Sequence, residues 1–158
     1  LKKKRNMSTP RLTNTYKLVD IPGLEEHEQA CWQIQCLGKR DEHGNILSPV
    51  LNQLQEWQQT IPKEYEKLLR AIRYAGANHV HRNQDLIRAD EDKRNVYEFK
   101  NTSCKCRLFF FYHHAENKVI ICTNTYWKGK GAHTKDQDSA FATCAKVRDI
   151  YLKSETKP

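Results

Sequence analysis

"NVYEFKNTSCKCRLFFFYHHAENKVIICTNTYWKGKG" spans residues 95–131 and holds the densest apolar stretch of an otherwise polar chain. Its apolar runs are short and bounded by polar clusters, the pattern of strands separated by turns. Residues 96–100 read as one strand, 106–113 as a second and 119–126 as a third, with "HHAEN" (113–117) as the hairpin turn between the last two. The middle run is apolar on both sides, so it is expected at the centre of a sheet, covered on both faces. The connections are short, which predicts antiparallel pairing. Cations flank the best strands: Lys100, Lys105 and Arg107 at one set of ends, Lys128 and Lys130 after the last run.

Working outward, "ACWQIQCLG" (30–38) alternates Trp32, Ile34 and Cys36 with Gln33 and Gln35, a half-buried strand. "KRDEHGN" (39–45) is a polar loop. Ser48-Pro49 starts a helix, with a hydroxyl cap and proline in the first turn. Val50, Leu51, Leu54 and Trp57 then share one face. Pro62 interrupts, and a second helix carries Leu68, Leu69 and Ile72, with Gly76 expected at its C-terminal cap. Residues 77–94 read as a polar connection. "SAFATCAKVRDIYLK" (139–153) closes the chain as an amphipathic helix with Phe141, Cys144, Val147 and Tyr151 on one side. The expected fold is α+β, a small, mainly antiparallel sheet in the order strand, two helices, three strands, C-terminal helix. The helices are expected on one face, leaving the other face or its rim free. The expected organisation is a basic, flexible or loosely docked arm over 1–29, a domain over 30–153 and a tail over 154–158. No internal repeat is visible.

A length of 158 residues suits one domain. Hydrophobic residues are 38% of the chain, so a small core is expected rather than a large one. Lys plus Arg number 27 against 19 for Asp plus Glu, a net charge of +8. That excess favours polyanionic partners: nucleic acid, ribosome, acidic protein or anionic lipid. No apolar run approaches the roughly 18 residues of a membrane-spanning helix. "LKKKRN" is followed by no apolar segment and is not read as a signal peptide. The six cysteines are Cys31, Cys36, Cys104, Cys106, Cys122 and Cys144. Most fall in apolar-periodic segments and read as small buried hydrophobes, with a reducing cytoplasm as the expected location. Cys104, Cys106, His113 and His114 are metal-ligand types, but one residue between the cysteines is not finger spacing, so no metal site is expected.

Taken in order, "VYEFK", "CRLFFFY", "VIICTNTYWKGK", "AHTK" and "SAFATCAKVRDIYLK" resemble the RelE/ParE toxin superfamily, closest to its HigB-like, partly phage-derived branch. That branch pairs a "yElR" strand with a "yRi.yf" strand, followed by a strand ending in an aromatic and "KK", then "q.tp" and a helix. The resemblance covers about residues 30–153. Lys100 stands where "yElR" often has Arg, Cys106 replaces a Tyr, and Gly129 splits the lysine pair. Cation chemistry is kept at each place. The resemblance implies a RelE-like, microbial-ribonuclease-type fold and a toxin of a type II toxin–antitoxin system. Its implied activity is ribosome-dependent cleavage of messenger RNA in the A site, with rRNA contacts, and its implied neutralising partner is a helix-turn-helix antitoxin.

That reaction is attack of a ribose 2′-OH on the adjacent phosphate, giving a 2′,3′-cyclic phosphate and a 5′-OH. The nucleophile is internal to the substrate, so no metal or other cofactor is needed. Arg107 is the first candidate, because a planar guanidinium grips two phosphate oxygens. Its alternative is a strand-edge charge paired with Glu98. Lys100 is a candidate for stabilising transition-state charge, Lys128 and Lys130 for converging on phosphate, and His133 for proton transfer near neutral pH. Tyr126 and Trp127 are candidates for stacking on a base or for the core, with one of the pair expected in the core, and Lys105 for binding the strand. Glu98 is read as a structural ion-pair partner of the neighbouring arginine. Three other readings stand beside this one: a ParE-like protein that poisons DNA gyrase by contact, an RNA- or ribosome-binding module without cleavage, and a ribonuclease acting on free RNA with His133 as its base.

Overall fold

The computed structural model describes residues 15–113, 118–129 and 134–156. In chain order the elements are β1 (Tyr16–Asp20), a 3₁₀ turn (Glu26–Glu28), β2 (Gln33–Arg40), β3 (Ile46–Leu47), α1 (Pro49–Thr60), α2 (Pro62–Ala77), β4 (Ile87–Ala89), β5 (Tyr97–Phe99), β6 (Cys106–His113), β7 (Val119–Trp127) and α3 (Thr134–Thr156). The seven strands form one sheet in the order β1-β2-β7-β6-β5-β4, with β3 added to β2. Pairing is antiparallel except between β2 and β7, which run parallel. The class is therefore α+β with a mostly antiparallel open sheet.

The central strand is β6. Its even residues face one core with Ile34, Cys36 and the helices α1 and α2: Leu108 and Phe110 meet Leu54, Leu68 and Ile72 there. Its odd residues face the other: Phe109 and Phe111 meet Ile121, Phe141, Cys144 and Tyr151 under α3. Between Phe109 and Phe110 the register with β7 shifts, because Phe109 opposes Asn124 while Phe110 opposes Cys122. Thr123 is the extra residue of this bulge, and it reverses the alternation along β7: Ile120 and Cys122 face the α1/α2 core, whereas Asn124 and Tyr126 face α3. Helices thus cover both faces, not the one expected. Burying Phe109, Phe111 and Ile121 contributes about 1.5–3 kcal/mol each, which only a helix on that face can realise. What stays open is the rim.

Three strands were not expected. Part of the segment read as a loose arm is β1, paired with β2 from Tyr16↔Lys39 to Asp20↔Gln35. The link to β2 is also docked: Ile21 and Leu24 are buried, and the Tyr65 hydroxyl donates to Pro22 O at 2.6 Å. The polar connection after α2 contains β4, and the two-residue β3 extends the loop after β2. Both are too short to show a period of two. The helix starts behave as read, with Ser48 Oγ accepting from Leu51 N and proline opening each of α1 and α2. Gly76 does not cap α2 but lies inside it. A Cβ there would sit 2.2 Å from Glu28 O, so glycine is required by close backbone approach. The same residue's carbonyl accepts from Cys31 N at 2.8 Å, stapling the 3₁₀ turn to α2.

Candidate functional site

At the open rim, the C-terminal end of β5, the start of β6, the end of β7 and the first turns of α3 meet around a cleft of about 350 Å3. Its walls carry Lys100, Arg107 and Lys128, together with Arg88 from β4, Glu98, Gln137 and the Gln84-Asp85 turn. The strand register explains the convergence. Phe99 opposes Leu108, so Lys100 and Arg107 are the next cross-strand neighbours, and Arg107 opposes Tyr126. The Lys128 N–H donates to Lys105 O at 2.8 Å, extending the β6–β7 ladder to the rim.

The turn between β5 and β6 is held from α2. Asn101 Nδ2 donates to Lys67 O at 3.0 Å, and the Lys105 N–H donates to Glu64 Oε1 at 2.6 Å. Ser103 takes a left-handed φ of 63° to close that turn. Arg107 is only 8% exposed. Its Nη1 donates to Cys104 O and, at 3.3 Å, to Cys106 O. Its Nε is buried and has no partner among the described residues. No carboxylate pairs with it there. Lys100 is half-buried, with Nζ 3.5 Å from Asp85 O, and Lys128 is exposed.

Glu98 keeps the structural ion-pair role read in the sequence, but with a different arginine. It is fully buried, and its ion-pair partner is Arg88, Nε to Oε1 at 3.0 Å, rather than Arg107. Gln137 Nε2 donates to both carboxylate oxygens at 2.9 Å. Arg88 also lies over the Phe141 ring at 5.5 Å. With Glu98 committed in this way, four cations face two carboxylates around the cleft. The arrangement suits an anion with several oxygens: one rigid guanidinium, two ammonium groups and a field of net positive charge in a partly enclosed space.

The expected base-stacking group is divided. Tyr126 lies on the α3 face with Arg107; burial raises its pKa, Asp136 adds to the rise and Arg107 opposes it. Trp127 lies on the other face, 6.2 Å from the Trp57 ring, and Lys105 Nζ sits 5.9 Å over it. Trp127 and Lys105 therefore do not line the cleft. Lys130 and His133 lie outside the described residues, as does His114. Cys104 and Cys106 sit at the start of β6, whereas His113 closes its far end and meets Glu155 at 3.0 Å.

Arg88 and Gln137 were missed. Arg88 sits in a three-residue strand that leaves no periodic trace. Gln137 did leave a signal: it precedes Phe141 by four and Cys144 by seven, so it is a polar residue on the apolar stripe of α3. Beside the cleft, Asp90, Asp92 and Asp138 bring their carboxylates together, and Arg94 bonds or pairs with all three. No protein-family model matches the sequence, and no curated protein matches it.

Proposed function

We propose that this chain is a toxin of the RelE/ParE type acting as a metal-independent endoribonuclease on translated messenger RNA in the ribosomal A site. The observation that carries the reading is the convergence of Lys100, Arg107 and Lys128 on one cleft, with the Arg107 Nε buried and unsatisfied. The α+β architecture with a mostly antiparallel sheet is compatible with it. In this proposal the scissile phosphate takes the place of the missing Arg107 partner, and Lys100 and Lys128 offset the charge of the phosphorane. Preorganised donors of this kind contribute about 10²–10³ in rate each. As the 2′-oxygen bonds to phosphorus its proton passes to His133, the bond from phosphorus to the 5′-oxygen breaks, and that oxygen takes a proton from solvent to leave as a hydroxyl. The toxin works in the cytoplasm, contacts rRNA through its positive charge and is neutralised by a helix-turn-helix antitoxin.

The test is induced expression in a bacterial host with mapping of 5′-OH ends in messenger RNA, comparing wild type with Lys100→Ala, Lys128→Ala and Arg107→Lys. Lys128 is exposed and Lys100 half-buried, so loss of cutting in those variants is not loss of folding. New ends in translated frames that vanish in the variants are expected. Growth arrest without new ends, unchanged by the substitutions, sinks the nuclease and favours a gyrase-directed contact.

A further inference from the structure

On the opposite side of edge strand β4 from the cation cleft lies a second hollow, of about 450 Å3. Gln84 and Arg88 belong to the walls of both, so the two adjoin at that strand. The second hollow is aromatic. Tyr97 and Tyr112 meet edge to face at 4.9 Å, and the His81 ring stacks on Tyr112 at 5.6 Å and 23°. Behind them Phe99 and Phe110 are fully buried, whereas Tyr97, Tyr112 and His81 are partly open to the hollow. Exposed Arg82 stands at its rim.

The wall is held rigidly. His81 Nε2 lies 2.8 Å from both Ala75 O and Asn78 O, which only accept, so that nitrogen carries a proton. In the neutral ring Nδ1 then accepts from the Tyr112 hydroxyl at 2.7 Å. The Tyr74 hydroxyl accepts from Arg82 N and Asn83 N at 3.0 and 3.1 Å, fixing the loop that carries the rim arginine. Trp32 Nε1 donates to His79 O at 3.1 Å on the same loop. The volume falls within the range of small-ligand sites, roughly 300–1,000 Å3. Fixed aromatic rings beside arginines are the arrangement that takes the bases of single-stranded nucleic acid.

We infer that this hollow is a nucleobase subsite: one base of a single-stranded RNA enters against Tyr97 and Tyr112 while its backbone passes Arg88 into the Arg107 cleft. The inference rests on the reading of that cleft as a phosphate site. It makes His81, Tyr97, Tyr112 and Arg82 the determinants of which nucleotide is held next to the reacting phosphate.

The probe is a four-nucleotide RNA with every 2′-OH methylated, which blocks attack, beside the same strand carrying abasic sugars. Both are titrated into isotope-labelled full-length protein and followed by NMR. The Arg107 Nε–H resonance is expected to move with both strands. The ring protons of Tyr97, Tyr112 and His81 are expected to move only with the base-bearing strand, which binds about tenfold more tightly. Tyr97→Leu is expected to bring the two affinities together while leaving the Arg107 response in place. Unmoved rings, or equal binding of both strands by wild type, overturn the subsite and leave the cleft standing. An Arg107 resonance that moves with neither strand overturns the cleft reading and the subsite with it. The wild-type titration decides both points whether or not Tyr97→Leu folds.

Discussion

Glu98→Gln separates structural from catalytic carboxylate more cleanly than any other change in the cleft. The substitution keeps the shape and removes one negative charge from a fully buried site. In the wild type both oxygens accept from Gln137 at 2.9 Å and one pairs with Arg88 at 3.0 Å. The new amide turns its NH2 toward Gln137, which also donates, so one contact to Gln137 is lost, and the charge that held Arg88 is gone. Breaking a buried ion pair from one side costs about 3–5 kcal/mol. The Arg88 side chain is 37% exposed and recovers hydration, which brings the expected loss to about 2 kcal/mol. For a domain of this size that lowers Tm by roughly 4–8 °C in a thermal scan followed by circular dichroism. Binding moves the other way. Arg88 is released and the local excess of two positive charges becomes three, so affinity for a short non-cleavable RNA rises about threefold to tenfold at low salt. The gain shrinks as ionic strength approaches physiological values. An unchanged Tm refutes the ion-pair reasoning. A folded variant that binds more weakly refutes the assignment of Glu98 as a purely structural group.

Other parts of the molecule give equally direct tests. Gly76→Ala gains about 1 kcal/mol of helix propensity but drives a Cβ into Glu28 O at 2.2 Å and disturbs the Cys31 hydrogen bond, so urea denaturation is expected to show a net loss of about 2 kcal/mol. Burial alone raises the Asp90 pKa, but the Arg94 bond and the backbone N–H groups of Asp92 and Arg94 outweigh it and hold the carboxyl below its ordinary value. Asp90→Asn is therefore expected to destabilise at pH 7 by about 1–2 kcal/mol, with the gap to wild type constant above the unfolded pKa of about 3.9 and closing as pH falls through the lower folded value. Lys128→Ala is expected to reduce the slope of log K against log salt for single-stranded RNA by about 0.7. Arg107→Met is expected to leave Tm unchanged or raised while RNA affinity falls at least tenfold; a large drop in Tm makes Arg107 a structural residue instead.

The long, strongly patterned segments were legible, and the reason is physical. The run 108–111 is apolar at every position because both faces of β6 are buried, and that pattern has no other economical reading. The helix starts at Ser48-Pro49 and Pro62 were legible because proline in the first turn removes a donor that has no partner there anyway. The short edges were not. Ile87–Ala89 buries one side chain, so three residues of β4 look like loop although they supply Arg88. β1 buries no side chain fully, which made it resemble an arm. The second covered face was misjudged because α3 presents a narrow stripe, yet Phe109, Phe111 and Ile121 required a cover. In the cleft, the cations were legible as residues flanking strands. Their partners were not, since the choice of Arg88 over Arg107 for Glu98 depends on a strand the sequence hides. The split of Trp127 from Tyr126 follows from strand alternation and became decisive only once the face of Arg107 was known.

The strongest physical argument for a working cleft is the way Arg107 departs from the rule its neighbours obey. Buried Asp90 is matched by Arg94, and buried Glu98 by Arg88 and Gln137. Buried Ser48 both donates to Leu37 O and accepts from Leu51 N. Arg107 is as deeply placed, yet it rests on two backbone carbonyls, which satisfy hydrogens without neutralising charge, and its Nε is left over. Lys100, Lys128 and Arg88 line the same space and repel it. A cation held there costs stability, and a methionine or leucine would fill the site more cheaply. Sequences that break a local rule in this manner do so where an outside group completes the set. On the proposed reading the missing group is an anion that reaches a buried guanidinium through an opening lined by ammonium groups, and a phosphate in a chain is the group we propose for it.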